Sequence, residues 1–203
     1  MRAILVHGMG RTPASMLVLA ARLRIRGFRP TLFAYSATFE AFASCSERLR
    51  SFIDRKADRS RFIVIGHSLG TVLLRSVYPR LRPPPVACFF IAPPAQACRA
   101  ARALAPHRLF KLATGEMGQL LANPEFMSAL PVPSCATRIY AGTAGPIGRR
   151  SPFGYEPNDG ILCVKETVIP GIPITTVRKF HTFIMNAAII ANDIERVVAA
   201  LNS

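Results

Sequence analysis

Three short stretches of this chain are apolar without interruption: "AILV" (Ala3–Val6), "FIVI" (Phe62–Ile65) and "VACFFI" (Val86–Ile91). A strand with one face in water alternates apolar and polar residues. A strand covered on both faces has no polar side to show, and that is the condition of parallel sheets packed between layers of helices. Further β-rich runs at Thr31–Tyr35, Arg138–Ala141 and Ile174–Val177 alternate with segments of helical period at Ala14–Arg26, Phe39–Lys56, Leu69–Tyr78 and Thr182–Leu201. The alternation predicts an α/β fold, a three-layer α/β/α sandwich around a mostly parallel sheet of about six strands.

A chain of 203 residues suits one domain, expected over 1–203. The region from about 93 to 136 is the least regular. It holds two helical patches, "CRAARALA" and "MGQLLAN", between "APPA" and "PVPS", and reads as a small helical insertion after the fourth strand. "AGTAGPIGRRSPFGYEPNDG", after the fifth strand, reads as a long surface loop.

Half of the residues are hydrophobic and 18% are charged, which excludes general disorder. The five cysteines, Cys45, Cys88, Cys98, Cys135 and Cys163, form no CxxC pair and no zinc-ligand spacing. They are expected to be reduced thiols in a cytoplasmic protein. "AILVHG" follows Met1 almost at once and leaves no room for a signal peptide before it, and no apolar run reaches the length of a membrane span. The net charge of +15 is spread over scattered arginines without an aromatic-basic framework. No specific nucleic-acid partner is expected, whereas weak association with an anionic membrane surface is compatible with the charge.

The "FIVI" strand runs directly into Gly66-His67-Ser68-Leu69-Gly70, and "TVLLRSVY" follows with helical character. A GxSxG sequence between a strand and a helix is the setting of a nucleophile elbow, in which a sharp turn lifts the serine hydroxyl above the sheet at a helix N-terminus. The plainer reading is a tight turn with Ser68 as N-cap. A serine needs a base to take its proton, and the base needs a carboxylate to orient it. Of the four histidines, His7 ends the first strand and suits a structural hydrogen bond, His67 points away from Ser68 within the elbow, and His107 lies in the insertion. His181 follows the last strand at the edge of the last helix, in the chain order serine, acid, histidine. Glu116, Glu125, Glu156, Asp159 and Glu166 lie between Ser68 and His181. Asp159, in the turn "PNDG", is the preferred acid and Glu156 the second. The oxyanion that forms during acyl transfer needs preorganised N–H donors. The amides of Leu69, after the serine, and of Met9, in "VHGMG", are the candidates.

Together the His7-Gly8 dipeptide, "GHSLG", Asn158-Asp159-Gly160 and a histidine ahead of the last helix resemble the α/β-hydrolase family, in particular its small lipases and esterases. The resemblance spans residues 7 to 181. It implies a small-molecule carboxylic ester as substrate, an acyl-enzyme on Ser68, and no metal or cofactor. The family core usually has two strands before the one carrying His-Gly, so a reduced sheet is implied. A thioesterase or acyltransferase on the same site is the alternative activity, and a non-catalytic scaffold for an anionic partner the alternative class. Met117, Leu120, Leu121, Phe126 and Met127 suit either an acyl pocket or helix packing.

Overall fold

The computed structural model describes residues 1–57 and 60–201. Six strands, β1 (Arg2–Val6), β2 (Arg29–Phe33), β3 (Phe62–His67), β4 (Ala87–Ile91), β5 (Ala136–Gly142) and β6 (Ile174–Val177), form one sheet in the order β2-β1-β3-β4-β5-β6. Every pairing is parallel. The three uninterrupted apolar runs became β1, β3 and β4 at the centre, where every residue of β3 and β4 is buried.

Alternate residues of these strands feed two cores. Ile4, Val6, Val64, Cys88 and Phe90 face a layer formed by α2 (Phe42–Ala57), α3 (Leu69–Val77) and the insertion. Leu5, Ile63, Ile65, Phe89 and Ile91 face α1 (Leu17–Ile25) and α7 (Ala188–Ala200). In α2, Cys45, Leu49, Ile53 and Ala57 recur every fourth residue and all are buried, so one stripe meets the core while Arg48, Arg50 and Arg55 face outward. The three-layer sandwich predicted from the apolar runs is therefore present.

β2 begins two residues earlier than its sequence suggests. Pro30 has no N–H to donate, but β2 is an edge strand paired only with β1, where Pro30 sits opposite Ala3 and its missing donor faces outward. The last helix begins later than expected. His181–Asn186 forms a 3-10 turn, Ala187 is extended (φ −72°, ψ 127°), and only then does α7 start. The carbonyls of His181, Thr182 and Asn186 in that turn accept side-chain hydrogen bonds from His67, Arg11 and Arg22, which hold it away from the helix.

The region after β4 is more regular than its sequence indicates, with α4 (Arg99–Leu104), α5 (Arg108–Ala122) and α6 (Pro124–Ala129). α5 is kinked at Gly115, where φ is +56° and Thr38 and Ala37 carbonyls press close. Asn123 caps α6 by accepting from the Phe126 amide at 3.0 Å. Met117, Leu121 and Met127 belong to the core, and Leu120 and Phe126 pack against it. All five cysteines are free, with the Cys88 and Cys135 sulfurs 3.5 Å apart. Among the described residues no helix is long and apolar enough to cross a membrane.

Candidate active site

The loops after β1, β3, β5 and β6 open at the same end of the sheet, and the predicted residues lie on them. Ser68 has φ 50° and ψ −120°, a conformation costly for a residue with a side chain. Its neighbours hold it there. The Ser68 amide donates to the Ile91 carbonyl at 2.9 Å, and the Ser68 carbonyl accepts from the Thr71 amide at 2.9 Å and its hydroxyl at 2.7 Å. The flanking glycines are sterically required. A Cβ on Gly66 would stand 2.8 Å from the Thr71 amide nitrogen, and one on Gly70 would stand 2.4 Å from the Val6 carbonyl oxygen. The glycines allow β1, β3 and the start of α3 to crowd together, leaving Ser68 half-buried and facing a cavity.

Asp159 and His181, 22 residues apart, meet. His181 Nδ1 lies 2.7 Å from Asp159 Oδ2, and the His181 amide donates to the Asp159 carbonyl at 2.9 Å. Both side chains are buried. The other carboxylate oxygen, Oδ1, accepts from the amides of Ile161 at 2.9 Å and Leu162 at 2.7 Å, so the carboxylate cannot rotate without losing bonds. The turn is built on Asn158, whose Oδ1 accepts from the Gly160 amide and whose Nδ2 donates to the carbonyls of Pro146 and Glu156. Glu156, the second candidate acid, pairs outward with Lys165 and Arg99. The Lys165 hydrogen bond is the chief influence holding its carboxyl below the usual range.

Ser68 and His181 line one cavity of about 390 Å³, within the range of small-molecule sites. Met9, Ala101, Leu104, Phe110, Leu121 and Leu162 give it mostly apolar walls. Leu121 therefore serves both the core and the cavity, which joins the two readings of the insertion at that residue. Leu69 opens α3, so its amide has no intrahelical acceptor.

Three features were not visible in the sequence. Arg11 lies on the cavity wall, with a guanidinium N–H donating to the Thr182 carbonyl at 3.1 Å. His67 does not point away from the site. It lines the same cavity as Ser68, and its Nε2 donates to the His181 carbonyl at 3.0 Å. Two adjacent carbonyls of the histidine turn are thus gripped from the elbow and from the loop after β1. Phe110 and Leu104 reach the cavity because α4 and α5 fold over it, a tertiary arrangement with no local signature. Among the described residues no cluster of acidic, histidine and cysteine side chains suited to a metal ion is present.

Complete burial pushes His67 well below the ordinary histidine value, and the neighbouring His181 adds to the effect. Burial likewise lowers His7, which bonds the Gly8 carbonyl and stacks on Tyr35 at 4.3 Å. Both imidazoles stay neutral in the fold at pH values where the unfolded chain, titrating near 6.5, takes up protons. Stability is therefore full above pH 6.5 and falls as the pH drops below it, by at most about 1.4 kcal/mol per pH unit for each histidine. Urea unfolding from neutral pH down to about 5 is expected to show this slope, and His67→Gln to flatten it. An identical slope in the variant would contradict the assignment.

A model of the alpha/beta hydrolase family matches residues 3–175, and the chain belongs to that family. No curated protein matches the chain. Solved structures share the fold at low identity. The lipase BlEst2 of Bacillus licheniformis superposes with a TM-score of 0.65 at 16% identity, covering 98% of this chain and 91% of that one. Human thioesterase 2 superposes at 0.63 and 13% identity, with 100% and 97% covered. RedJ, a thioesterase of the prodiginine biosynthetic pathway in Streptomyces coelicolor, superposes at 0.61 and 14% identity, with 98% and 85% covered.

Proposed function

We propose that this protein is a serine hydrolase of carboxylic esters, with Ser68 as nucleophile, His181 as general base and Asp159 as the residue that orients it. The observation that carries the reading is the buried 2.7 Å contact of Asp159 with His181, which lines the cavity into which the strained Ser68 opens. A buried carboxylate at Nδ1 keeps the proton on that nitrogen and leaves Nε2 free to accept another. Ser68 Oγ and His181 Nε2 have no hydrogen-bond partner among the described residues, in keeping with catalytic contacts that tighten only when substrate is bound.

In this reading Ser68 Oγ attacks the ester carbonyl carbon while its proton passes to His181 Nε2. The amides of Met9 and Leu69 hold the oxyanion. The tetrahedral intermediate collapses, the C–O bond to the alcohol breaks, and Nε2–H protonates the departing alkoxide. Water then gives a proton to Nε2 and attacks the acyl carbon; the second intermediate collapses, the bond from the acyl carbon to Ser68 Oγ breaks, and Nε2–H returns its proton to Oγ as the acid leaves. The apolar walls suit an acyl chain. Thioesters are the second substrate class, favoured by the cation of Arg11 on the cavity wall, which could meet a phosphate of a coenzyme A carrier.

A fluorophosphonate probe followed by peptide mapping tests the reading. Labelling is expected on Ser68 alone. Folded protein that stays unlabelled at Ser68 would overturn the mechanism and favour a non-catalytic scaffold.

A further inference from the structure

The helices folded over the cavity carry an unusual surface. From Arg99 to Lys111 there are four cations, Arg99, Arg102, Arg108 and Lys111, and no carboxylate. All four are exposed, and among the described residues Arg99 alone of the four is ion-paired, with Glu156. Arg99 and Arg108 occupy the first helical positions of α4 and α5, where the partial positive charge of the helix disfavours a cation. Nothing in local helix energetics calls for them there.

Between the cations stand apolar residues that the fold does not cover. Leu109 is 81% exposed and Leu112 76% exposed. The spacing of three places Leu109 and Leu112 on one stripe of α5, and Arg108 and Lys111 on the stripe beside it. Phe39, 89% exposed, belongs to the same surface. Its loop is tied to α5 by the Thr38 hydroxyl, which donates to the Ala113 carbonyl at 2.6 Å, and by the close approach of Thr38 to Gly115. Carboxylates beside this surface are engaged: Glu156 pairs with Arg99 and Lys165, Glu40 takes the Ser36 amide and the Arg48 guanidinium, and Glu116 takes the Phe42 amide. Leu104 and Phe110, within the same segment, line the cavity that holds Ser68. The patch is continuous with the wall of that cavity.

We propose that α4, the first turns of α5 and the Phe39 loop form a docking surface for an anionic phospholipid bilayer. Arg102, Arg108 and Lys111 meet the headgroup phosphates, and Phe39, Leu109 and Leu112 enter the boundary between headgroups and acyl chains. Charge complementarity favours this occupant over a second copy of the chain, whose equivalent patch carries the same cations. That docking presents membrane-dissolved esters to the cavity rests on the ester-hydrolase reading; the docking itself does not.

Cosedimentation with vesicles of phosphatidylglycerol and phosphatidylcholine, against pure phosphatidylcholine, tests it without measuring turnover. Binding is expected to the anionic vesicles and to weaken with added salt. Arg108→Gln with Lys111→Gln should weaken it about 25-fold, from about fivefold per cation. Leu109→Gln with Leu112→Gln should weaken it about tenfold. Arg55→Gln with Lys56→Gln, an equal loss of charge in the last turn of α2, should change it less than about threefold. None of these variants touches the cavity, so hydrolysis of a soluble ester without vesicles should stay at the level of the unaltered protein. Absence of binding to anionic vesicles at low ionic strength would overturn the proposal. So would equal losses from the α2 and α5 charge variants, undiminished binding in the leucine variant, or a dimer by light scattering that the leucine variant dissolves. Ser68→Ala is expected to bind vesicles normally, so loss of activity and loss of docking are separate results.

Discussion

Replacing Ser68 with alanine lowers kcat for a p-nitrophenyl ester by about 10⁶-fold, with KM nearly unchanged, as expected when a nucleophile acts as one unit with its base. The hydroxyl makes no hydrogen bond within the described residues and the cavity already surrounds it, so stability should change by no more than about 0.5 kcal/mol. Activity and unfolding measured on the same preparation separate loss of chemistry from loss of fold. A variant that keeps a tenth of the activity would remove Ser68 from the mechanism.

The next largest loss is expected at Asp159. In Asp159→Asn the side-chain oxygen keeps the place of Oδ1, because that position accepts from the Ile161 and Leu162 amides. The new NH₂ group then faces His181 Nδ1 and must donate to it. The imidazole proton is displaced to Nε2, the nitrogen that has to accept from Ser68. The expected cost is about 10⁴-fold in kcat with a smaller change in KM. Glu156→Gln removes only exposed ion pairs and should stay within about threefold. Steady-state kinetics of the two variants decide between the acids. Near-normal turnover in Asp159→Asn together with its abolition in Glu156→Gln would reverse the assignment.

What could be read from the sequence followed from backbone logic. β1, β3 and β4 were visible because central parallel strands are apolar throughout, and β2 was displaced because Pro30 reads as a break unless the strand is known to lie at an edge. Ser68, Asp159 and His181 were singled out by chain order and turn chemistry, and the structure sets Asp159 behind His181, which lines the cavity that Ser68 faces. The inward turn of His67, the grip of Arg11 and the covering role of Phe110 were not visible. Each depends on contacts between segments far apart in the chain, such as Arg11 and Thr182, separated by 171 positions. The helicity of residues 99–129 was underestimated because "APHRLFKLATGE" contains proline and glycine, which here mark only the break between α4 and α5 at Pro106 and the kink of α5 at Gly115, with helix on either side.

The segment between β5 and the Asp159 turn leaves and returns through a narrow neck. The Gly145 amide donates to the Asn158 carbonyl at 2.7 Å, and a Cβ at Gly145 would collide with the Asn158 side chain. Everything between Pro146 and Pro157 is therefore an excursion closed at its base, with its own internal bond from the Gly148 amide to the Gly154 carbonyl at 2.7 Å. Doubling the length of such a loop costs only about 0.6 kcal/mol in closure entropy. Insertions and grafts at its exposed positions, with the buried Phe153 kept, can thus vary in evolution or in the laboratory while the carboxylate of Asp159 keeps its register. The chain can acquire new surface beside the Asp159 turn without rebuilding the pair that turn supports.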